Sequence, residues 1–92
     1  MAQLSNEQVT AALAGLPGWA RMGDSLTKTF TFRTFPEGIG FVDRIALVAE
    51  ELAHHPDITI NYNRVTLALS THDEGGITEK DVALAERIET TA

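Results

Sequence analysis

The chain contains no cysteine, which excludes disulfide bonds and thiolate metal sites. This absence fits a reducing compartment, and we expect a cytoplasmic protein. Lysine and arginine are scarce, at 7 against 13 Asp and Glu, and the net charge of −6 disfavours binding to a phosphate backbone. No apolar run approaches the roughly 20 residues that span a bilayer, and residues 1–9 lack the basic and apolar parts of a signal peptide. We therefore expect small molecules or proteins as partners, with no nucleic acid and no membrane.

What the chain does contain is an ordinary globular composition, with 43% hydrophobic and 22% charged residues among 92. This length provides one hydrophobic core, so we predict a single domain over residues 1–92. A domain of this size buries only about 60–65% of its unfolded surface, which leaves it marginally stable alone. We therefore expect a homo-oligomer.

Helical signals occur near both ends of the chain. Near the N-terminus, Ser5 and Gln8 form the pattern of a capping box before apolar residues at helical spacing. Near the C-terminus, Thr78 and Asp81 stand at the N-cap and N3 positions of a last helix. In the simplest interpretation Asp81 is therefore a helix-capping residue.

The longest helical pattern lies in the middle of the chain and begins near Pro36. Its apolar residues recur three and four positions apart, at Phe41, Ile45, Val48 and Leu52. Pro56 disfavours helical geometry at the residue before it. We therefore predict that this helix ends near His54 or His55.

The segment between the first two helices predicts a hairpin. From Leu26, threonines alternate with larger side chains for about nine residues, which is typical of a strand. A shorter strand should precede it from Trp19, with Gly23 and Asp24 as the turn.

A second hairpin is predicted after the main helix. Ile58, Ile60 and Tyr62 alternate along its first strand, so Tyr62 is predicted to lie in the core, and the turn is predicted at Asn63 and Arg64. The element order is then α-β-β-α-β-β-α. We predict an α+β fold, in which a four-stranded antiparallel sheet carries the helices packed on one face.

The three histidines all lie within residues 54–72. Histidine, with an unperturbed pKa near about 6.5, exchanges protons around neutrality, so three histidines with carboxylates nearby indicate an acid–base site. His54 and His55 fall at the predicted helix end, where the helix dipole favours positive charge. Glu50, one turn earlier, can orient or pair with His54. Whether His72 meets the other two depends on a bend after the last strand.

Simpler structural interpretations apply to the same residues. Histidines at a helix C-terminus often act only as caps, and a loop histidine such as His72 is more often a surface residue. Three histidines can bind zinc, but two adjacent ones do not share a helix face, which argues against a metal site. Trp19, the only tryptophan, could stack on a flat heterocycle or pack in the core or between subunits.

The ordered spacing of several residues is more specific than any one of them: Glu50-x-x-x-His54-His55-Pro56, then Tyr62, His72 and Asp81. This pattern resembles the signature of the pterin-4a-carbinolamine dehydratase family. Flanking segments at residues 18–19, 62–65, 69–72 and 76–81 are also similar to that family, so the resemblance covers nearly the whole chain.

The resemblance implies a hydro-lyase assembled as dimers or tetramers, with no metal and no organic cofactor. Its reaction would be dehydration of 4a-hydroxytetrahydrobiopterin to quinonoid dihydropterin, which recycles the cofactor of aromatic amino acid hydroxylases. The implied catalytic residues are His54, His55 and His72. The implied substrate-binding residues are Glu50, Ala53, Pro56, Ser70, Thr71, Asp73, Trp19 and Asp81. Relatives often carry Asp or Asn where this chain has Ala53, so we expect a backbone contact from that position.

Two other functions are compatible with the same resemblance. Some family members serve as dimerisation partners of transcription factors through a helix surface, and the acidic helices here could support such contacts, although acidic faces are usually only solvated. A related pterin, such as a molybdopterin-linked compound, could also be the substrate. Loss of all three histidines should spare a binding role and abolish catalysis.

Overall fold

The computed structural model describes residues 2–92, and its elements follow the predicted order. Met1, which the predicted domain includes, lies outside the described residues. The helices of residues 2–92 are α1 (Asn6–Ala14), α2 (Phe35–Leu52) and α3 (Glu79–Thr91). The strands are β1 (Ala20–Met22), β2 (Ser25–Thr31), β3 (Asp57–Asn61) and β4 (Arg64–Leu69), and a 3₁₀ turn spans His72–Glu74. Within this described part, no helix combines the length and the hydropathy needed to cross a bilayer.

The strands form one antiparallel sheet in the spatial order β1-β2-β4-β3. Val65, Leu67 and Leu69 of β4 point to the face on which α2 and α3 pack, and all three are fully buried. On the other face, the hydroxyls of Thr29 and Thr66 lie 2.9 Å apart and form a hydrogen bond across β2 and β4. The predicted α+β fold is therefore confirmed.

The hydrophobic core lies between this sheet face and the helices. Phe41 of α2 is fully buried, and its ring centroid lies 4.8 Å from that of Phe30 and 5.0 Å from that of Phe32. The same cluster contains apolar residues of every helix, among them Val9, Ile45, Leu84 and Ile88. One apolar cluster therefore holds α1, α2 and α3 on the sheet.

An ion pair on the surface also links α2 to α3. Arg87 donates a hydrogen bond of 2.6 Å to Glu51, and this bond and the opposite charge lower the pKa of the Glu51 carboxyl and raise that of the Arg87 guanidinium. Both side chains are largely exposed to water. Because exposed pairs contribute little to stability, the contact between the two helices depends mainly on the apolar cluster.

Each helix begins with a capping box, in which the side chains of two residues bond each other's backbone N–H groups. The pairs are Ser5 with Gln8, Thr34 with Glu37, and Thr78 with Asp81. The first and third were predicted. The capping box of Thr34 and Glu37 was not predicted. It places the N-cap of α2 three residues after the end of β2, which explains why β2 is shorter than the nine residues predicted.

The second hairpin turns one residue earlier than predicted. Asn61 pairs with Arg64, so the two turn residues are Tyr62 and Asn63. Asn63 is held by Phe32, because its side chain donates to the Phe32 carbonyl at 2.7 Å and its own carbonyl accepts from the Phe32 N–H at 2.9 Å. Tyr62 has a φ of 54° and is 67% exposed. The prediction that Tyr62 lies in the core was wrong.

The apolar face of β3 is exposed as well. Ile58 and Ile60 are 38% and 41% exposed, although their alternation was predicted to mark a core face. The physical reason is the strand order, since β3 pairs only with β4 and forms an edge of the sheet.

The main helix ends earlier than predicted. It stops at Leu52, before both His54 and His55, because Ala53 adopts the left-handed conformation with φ 52° and ψ 40°. The N–H of His54 then bonds to the carbonyl of Ala49 at 3.0 Å, which is the bond of a Schellman motif. The two histidines therefore follow the helix, on a chain that has already turned away from its axis.

Replacing Ala53 with glycine should raise the free energy of unfolding by about 1 kcal/mol, since glycine adopts the left-handed conformation without the steric penalty of a Cβ atom. Urea unfolding measures this change. The matched control is Ala46→Gly at an exposed position inside α2, which should lower stability by about 1 kcal/mol. Equal destabilisation by both substitutions would contradict the strain assigned to Ala53.

Candidate active site

The structure brings the three histidines to one cavity of about 280 Å³. The cavity lies between the end of α2, the segment after β4 and the start of α3. Its lining residues are Ala53, His54, His55, Ser70, Thr71, His72, Asp73 and Lys80. Ligand sites commonly measure about 300–1,000 Å³, so this cavity lies just below the lower end of that range and suits only a small ligand.

Two reversals of the chain bring the histidines there. The left-handed Ala53 directs the chain out of α2, and His54 and His55 follow directly. After β4, Thr71 and Gly76 exchange backbone hydrogen bonds of 2.9 and 3.3 Å and close a short loop. His72 begins the 3₁₀ turn inside this loop, so it lies beyond the strand and its alternation.

His54 is anchored by a buried carboxylate. Its Nε2 lies 2.6 Å from Oδ1 of Asp81, which is fully buried, and the His54 side chain is 12% exposed. An ionised Asp81 carboxylate only accepts hydrogen bonds, and in that state Nε2 of His54 donates this one. Nδ1 is the ring nitrogen of His54 that does not bond to Asp81.

The second oxygen of Asp81 belongs to the start of α3. Oδ2 accepts from the Thr71 hydroxyl and from the Thr78 N–H, both at 2.9 Å. Thr71 has only one hydroxyl proton, so Thr78 must be the donor in the 2.8 Å bond between the two hydroxyls. In residues 2–92, every buried side-chain nitrogen and oxygen has a hydrogen-bond partner. The predicted capping role of Asp81 is confirmed, and the same carboxylate also holds His54.

His55 has a different and more exposed partner. Its Nε2 is hydrogen bonded to Oε2 of Glu50, and the two side chains are 63% and 76% exposed. The prediction that Glu50 orients His54 was wrong. The chain leaves the helix at Ala53, so the spacing of four residues no longer places Glu50 and His54 on one helix face.

Trp19 does not lie in the wall of this cavity. It is 6% exposed, its Nε1 donates to Glu89 at 3.0 Å, and its ring meets Phe30 edge to face with centroids 6.2 Å apart. The structure thus places Trp19 in the core, which was one of the three alternatives, and not in the lining that the family resemblance implied.

The remaining predicted residues divide into two groups. Ala53, Ser70, Thr71 and Asp73 line the cavity. Glu50 and Pro56 lie outside the lining, and the buried Asp81 carboxylate contacts the lining through its hydrogen bonds to His54 and Thr71. Lys80 was not predicted, although its position directly before the motif residue Asp81 was an available signal.

A second cavity, of about 430 Å³, lies between α1 and α3. Its lining contains alanines, Leu4, Val82 and the acidic residues Glu79 and Glu86, but no histidine. Proton transfer near neutral pH needs the histidines, so we assign the candidate site to the smaller cavity. Among the described residues, no three His, Asp or Glu side chains are grouped to hold a metal ion.

Comparison with known proteins gives a consistent result. A family model described as pterin 4 alpha carbinolamine dehydratase matches residues 2–91. A protein of Mycobacteroides abscessus, provisionally named pterin-4-alpha-carbinolamine dehydratase, is 60% identical over 90 residues, covering 98% of this chain and 96% of the relative. A protein of Thermomicrobium roseum with the same provisional name is 52% identical over 88 residues, covering 96% and 95%.

Solved structures agree with the fold. A transcriptional coactivator/pterin dehydratase from Brucella melitensis has a TM-score of 0.94 at 37% identity, covering 98% of both chains. A pterin dehydratase-like protein, described as a RuBisCO assembly factor in the alpha-carboxysome, has a TM-score of 0.69 at 28% identity, covering 82% of this chain and 89% of its own. From these matches, the chain belongs to the pterin-4a-carbinolamine dehydratase family.

Proposed function

We propose that this chain is a 4a-hydroxytetrahydrobiopterin dehydratase, a hydro-lyase that forms quinonoid dihydropterin and water in tetrahydrobiopterin recycling. The observation that carries this proposal is the cavity lined by three histidines, one of them anchored by a buried carboxylate. Family membership supports a pterin as the substrate. We further propose that residues 1–92 act as one domain in the cytoplasm, on the product of an aromatic amino acid hydroxylase.

The reaction needs one acid and one base. The C–O bond at carbon 4a breaks towards oxygen, which gains a proton and leaves as water. A ring nitrogen loses its proton, and the electron pair of that N–H bond forms the new double bond, so no oxidant or reductant takes part. Two imidazoles in opposite protonation states can perform both transfers, and such catalysis contributes about 10²–10⁴-fold.

We assign the base to His54 and the acid to His72. Asp81 fixes the proton of His54 on Nε2, so Nδ1 is the basic atom, and the negative carboxylate stabilises the positive charge that develops when Nδ1 takes up a proton. His72 is exposed on its turn, where it can deliver a proton to the hydroxyl. His55, bonded to Glu50, holds or protonates the same hydroxyl.

The walls of the cavity would hold the pterin ring. Ser70 supplies a hydroxyl, Asp73 a carboxylate and Ala53 its backbone, whereas the Thr71 hydroxyl is engaged with Asp81 and Thr78. In this proposal Glu50 and Asp81 act through the histidines they bind.

A protein-binding module is the second candidate function. Apolar side chains outside the cavity are exposed: Leu47 of α2 by 74%, Tyr62 by 67%, and Ile60 of β3 by 41%. The names of two structural relatives, a coactivator and an assembly factor, support a surface of this kind. Such a role would use these side chains and would not need the histidines.

The same apolar side chains support assembly with further copies of the chain. The edge strand β3 carries unpaired backbone groups beside Ile58 and Ile60, and such edges readily pair with another strand. Sedimentation equilibrium should therefore give two or four times the chain mass of 10.0 kDa. A mass of 10.0 kDa at micromolar concentration would refute the homo-oligomer.

Replacing His54 or His72 with alanine should lower the dehydration rate by about 10²–10⁴-fold, because each substitution removes one proton-transfer group. Stopped-flow absorbance of freshly generated 4a-hydroxytetrahydropterin, corrected for spontaneous dehydration, measures this rate. Arg64→Gln, far from the cavity lining, serves as the control. An unchanged rate for His54→Ala would remove that residue from the mechanism.

The variant lacking all three histidines separates the two candidate functions. It should lose dehydration and keep the assembly mass. A wild-type chain that shows no rate above the spontaneous one would leave the binding module as the better explanation.

Replacing Asp81 with asparagine should lower kcat by about 10–100-fold with little change in KM, since the amide keeps the shape of the carboxylate but not its charge beside His54. Steady-state kinetics measure both constants. The control Thr34→Ala removes the capping hydroxyl of α2, outside this network and the cavity lining, and should lower stability by about 1 kcal/mol at unchanged kcat. Equal loss of kcat in both variants would mean that Asp81 acts only as a cap.

A further inference from the structure

We propose that Lys80 makes this site selective for pterins whose C6 side chain carries an anionic group, a phosphate monoester or a carboxylate. The inference rests on the proposed binding of a pterin in the histidine cavity and names the substrate class more closely. Lys80 would be a specificity-determining residue at the cavity rim, without a part in the proton transfers.

The first observation is that the ammonium group of Lys80 has no hydrogen-bond or ion-pair partner among residues 2–92. Within residues 2–92, five of the seven Lys and Arg side chains donate hydrogen bonds to protein oxygens, and only Lys80 and Arg64 do not. The five are Arg21, Lys28, Arg33, Arg44 and Arg87. Acidic residues outnumber basic ones by 13 to 7, so partners for a lysine are plentiful in this chain. An unpaired lysine in the wall of a cavity is therefore available to pair with an anionic group of a bound ligand.

The second observation is that the helix does not explain Lys80. The residue lies in the first turn of α3, where the positive end of the helix dipole disfavours a cation. Asp81, its neighbour, is buried and fully engaged with His54, Thr71 and Thr78. Asp73, the one carboxylate in the cavity wall, forms no ion pair with Lys80. The helix dipole therefore disfavours the cation at this position, and the acidic residues Glu79 and Asp81 of the same turn offset part of that cost.

The third observation is the size of the cavity. A volume of about 280 Å³ accommodates a flat bicyclic ring, and the side chain on that ring must then extend towards the rim. Lys80 is one of the exposed residues of the lining, and in this proposal the pterin side chain leaves the cavity past its ammonium group. An ammonium group there adds little for a neutral polyol, whereas it forms a charge-assisted hydrogen bond with a phosphate or carboxylate.

The test compares three 4a-hydroxytetrahydropterins that differ only in the C6 side chain: a neutral polyol, the same polyol with a phosphate monoester, and one ending in a carboxylate. Wild-type protein should show a lower KM for at least one anionic substrate than for the neutral one. Lys80→Gln should raise that KM about five- to tenfold, as expected for one partly exposed ion pair, with kcat and the neutral substrate unchanged. Lys80→Arg should retain the preference, and high salt should weaken it.

Arg64→Gln is the matched control, because it removes the other unpaired cation at a position outside the cavity and changes the net charge equally. Equal KM values of the wild type for all three substrates would overturn the inference while leaving the dehydratase proposal intact. So would an equal effect of Arg64→Gln, which would indicate a response to net charge alone. If no substrate is dehydrated, the proposed function fails, and calorimetric binding of the stable oxidised pterins with the same side chains still tests Lys80.

Discussion

The site depends on how the carboxylate of Asp81 is shared. One oxygen accepts from the Thr78 N–H at the start of α3 and from the Thr71 hydroxyl in the loop after β4, and the other is hydrogen bonded to Nε2 of His54. A fully buried carboxylate is costly by several kcal/mol unless its hydrogen bonds are complete. The start of α3, the loop after β4 and the chain after α2 must therefore meet at this point. The hydrogen bonds of the buried Asp81 carboxylate are complete only in the arrangement that also orients His54.

Because its two oxygens have different partners, Asp81 both caps α3 and orients His54. Capping a helix and orienting a histidine are usually roles of different residues, but here each role uses a different oxygen of one carboxylate. The cap rigidly positions the carboxylate by two further hydrogen bonds, and such rigidity is what an orienting group requires. His55 and Glu50 form the contrasting pair, since both are exposed and no buried network restrains them.

Short-range sequence patterns predicted most of the fold. The errors arose where the structure depends on contacts or backbone angles that such patterns do not encode. The capping pair of Thr78 and Asp81, the hairpins and the element order follow from short-range chemistry. The exposure of Ile60 could not be predicted from its alternation, because it depends on which strand occupies the edge of the sheet. Two further errors arise at Ala53 and Tyr62, which adopt positive φ angles that neither residue type favours. At the site, the histidines could be found by spacing, whereas the partner of each depended on where α2 ends.

The interactions that stabilise the fold do not account for His55 and His72. The apolar cluster that holds the helices on the sheet contains none of the three. His72 is exposed on a loop that backbone hydrogen bonds close without its side chain, and His55 is bonded only to an exposed glutamate. Neither imidazole is needed for folding, since exposed polar contacts of this kind contribute little. Two residues that the fold does not need, placed beside a third that the fold orients, are better explained by chemistry on a bound molecule than by structure.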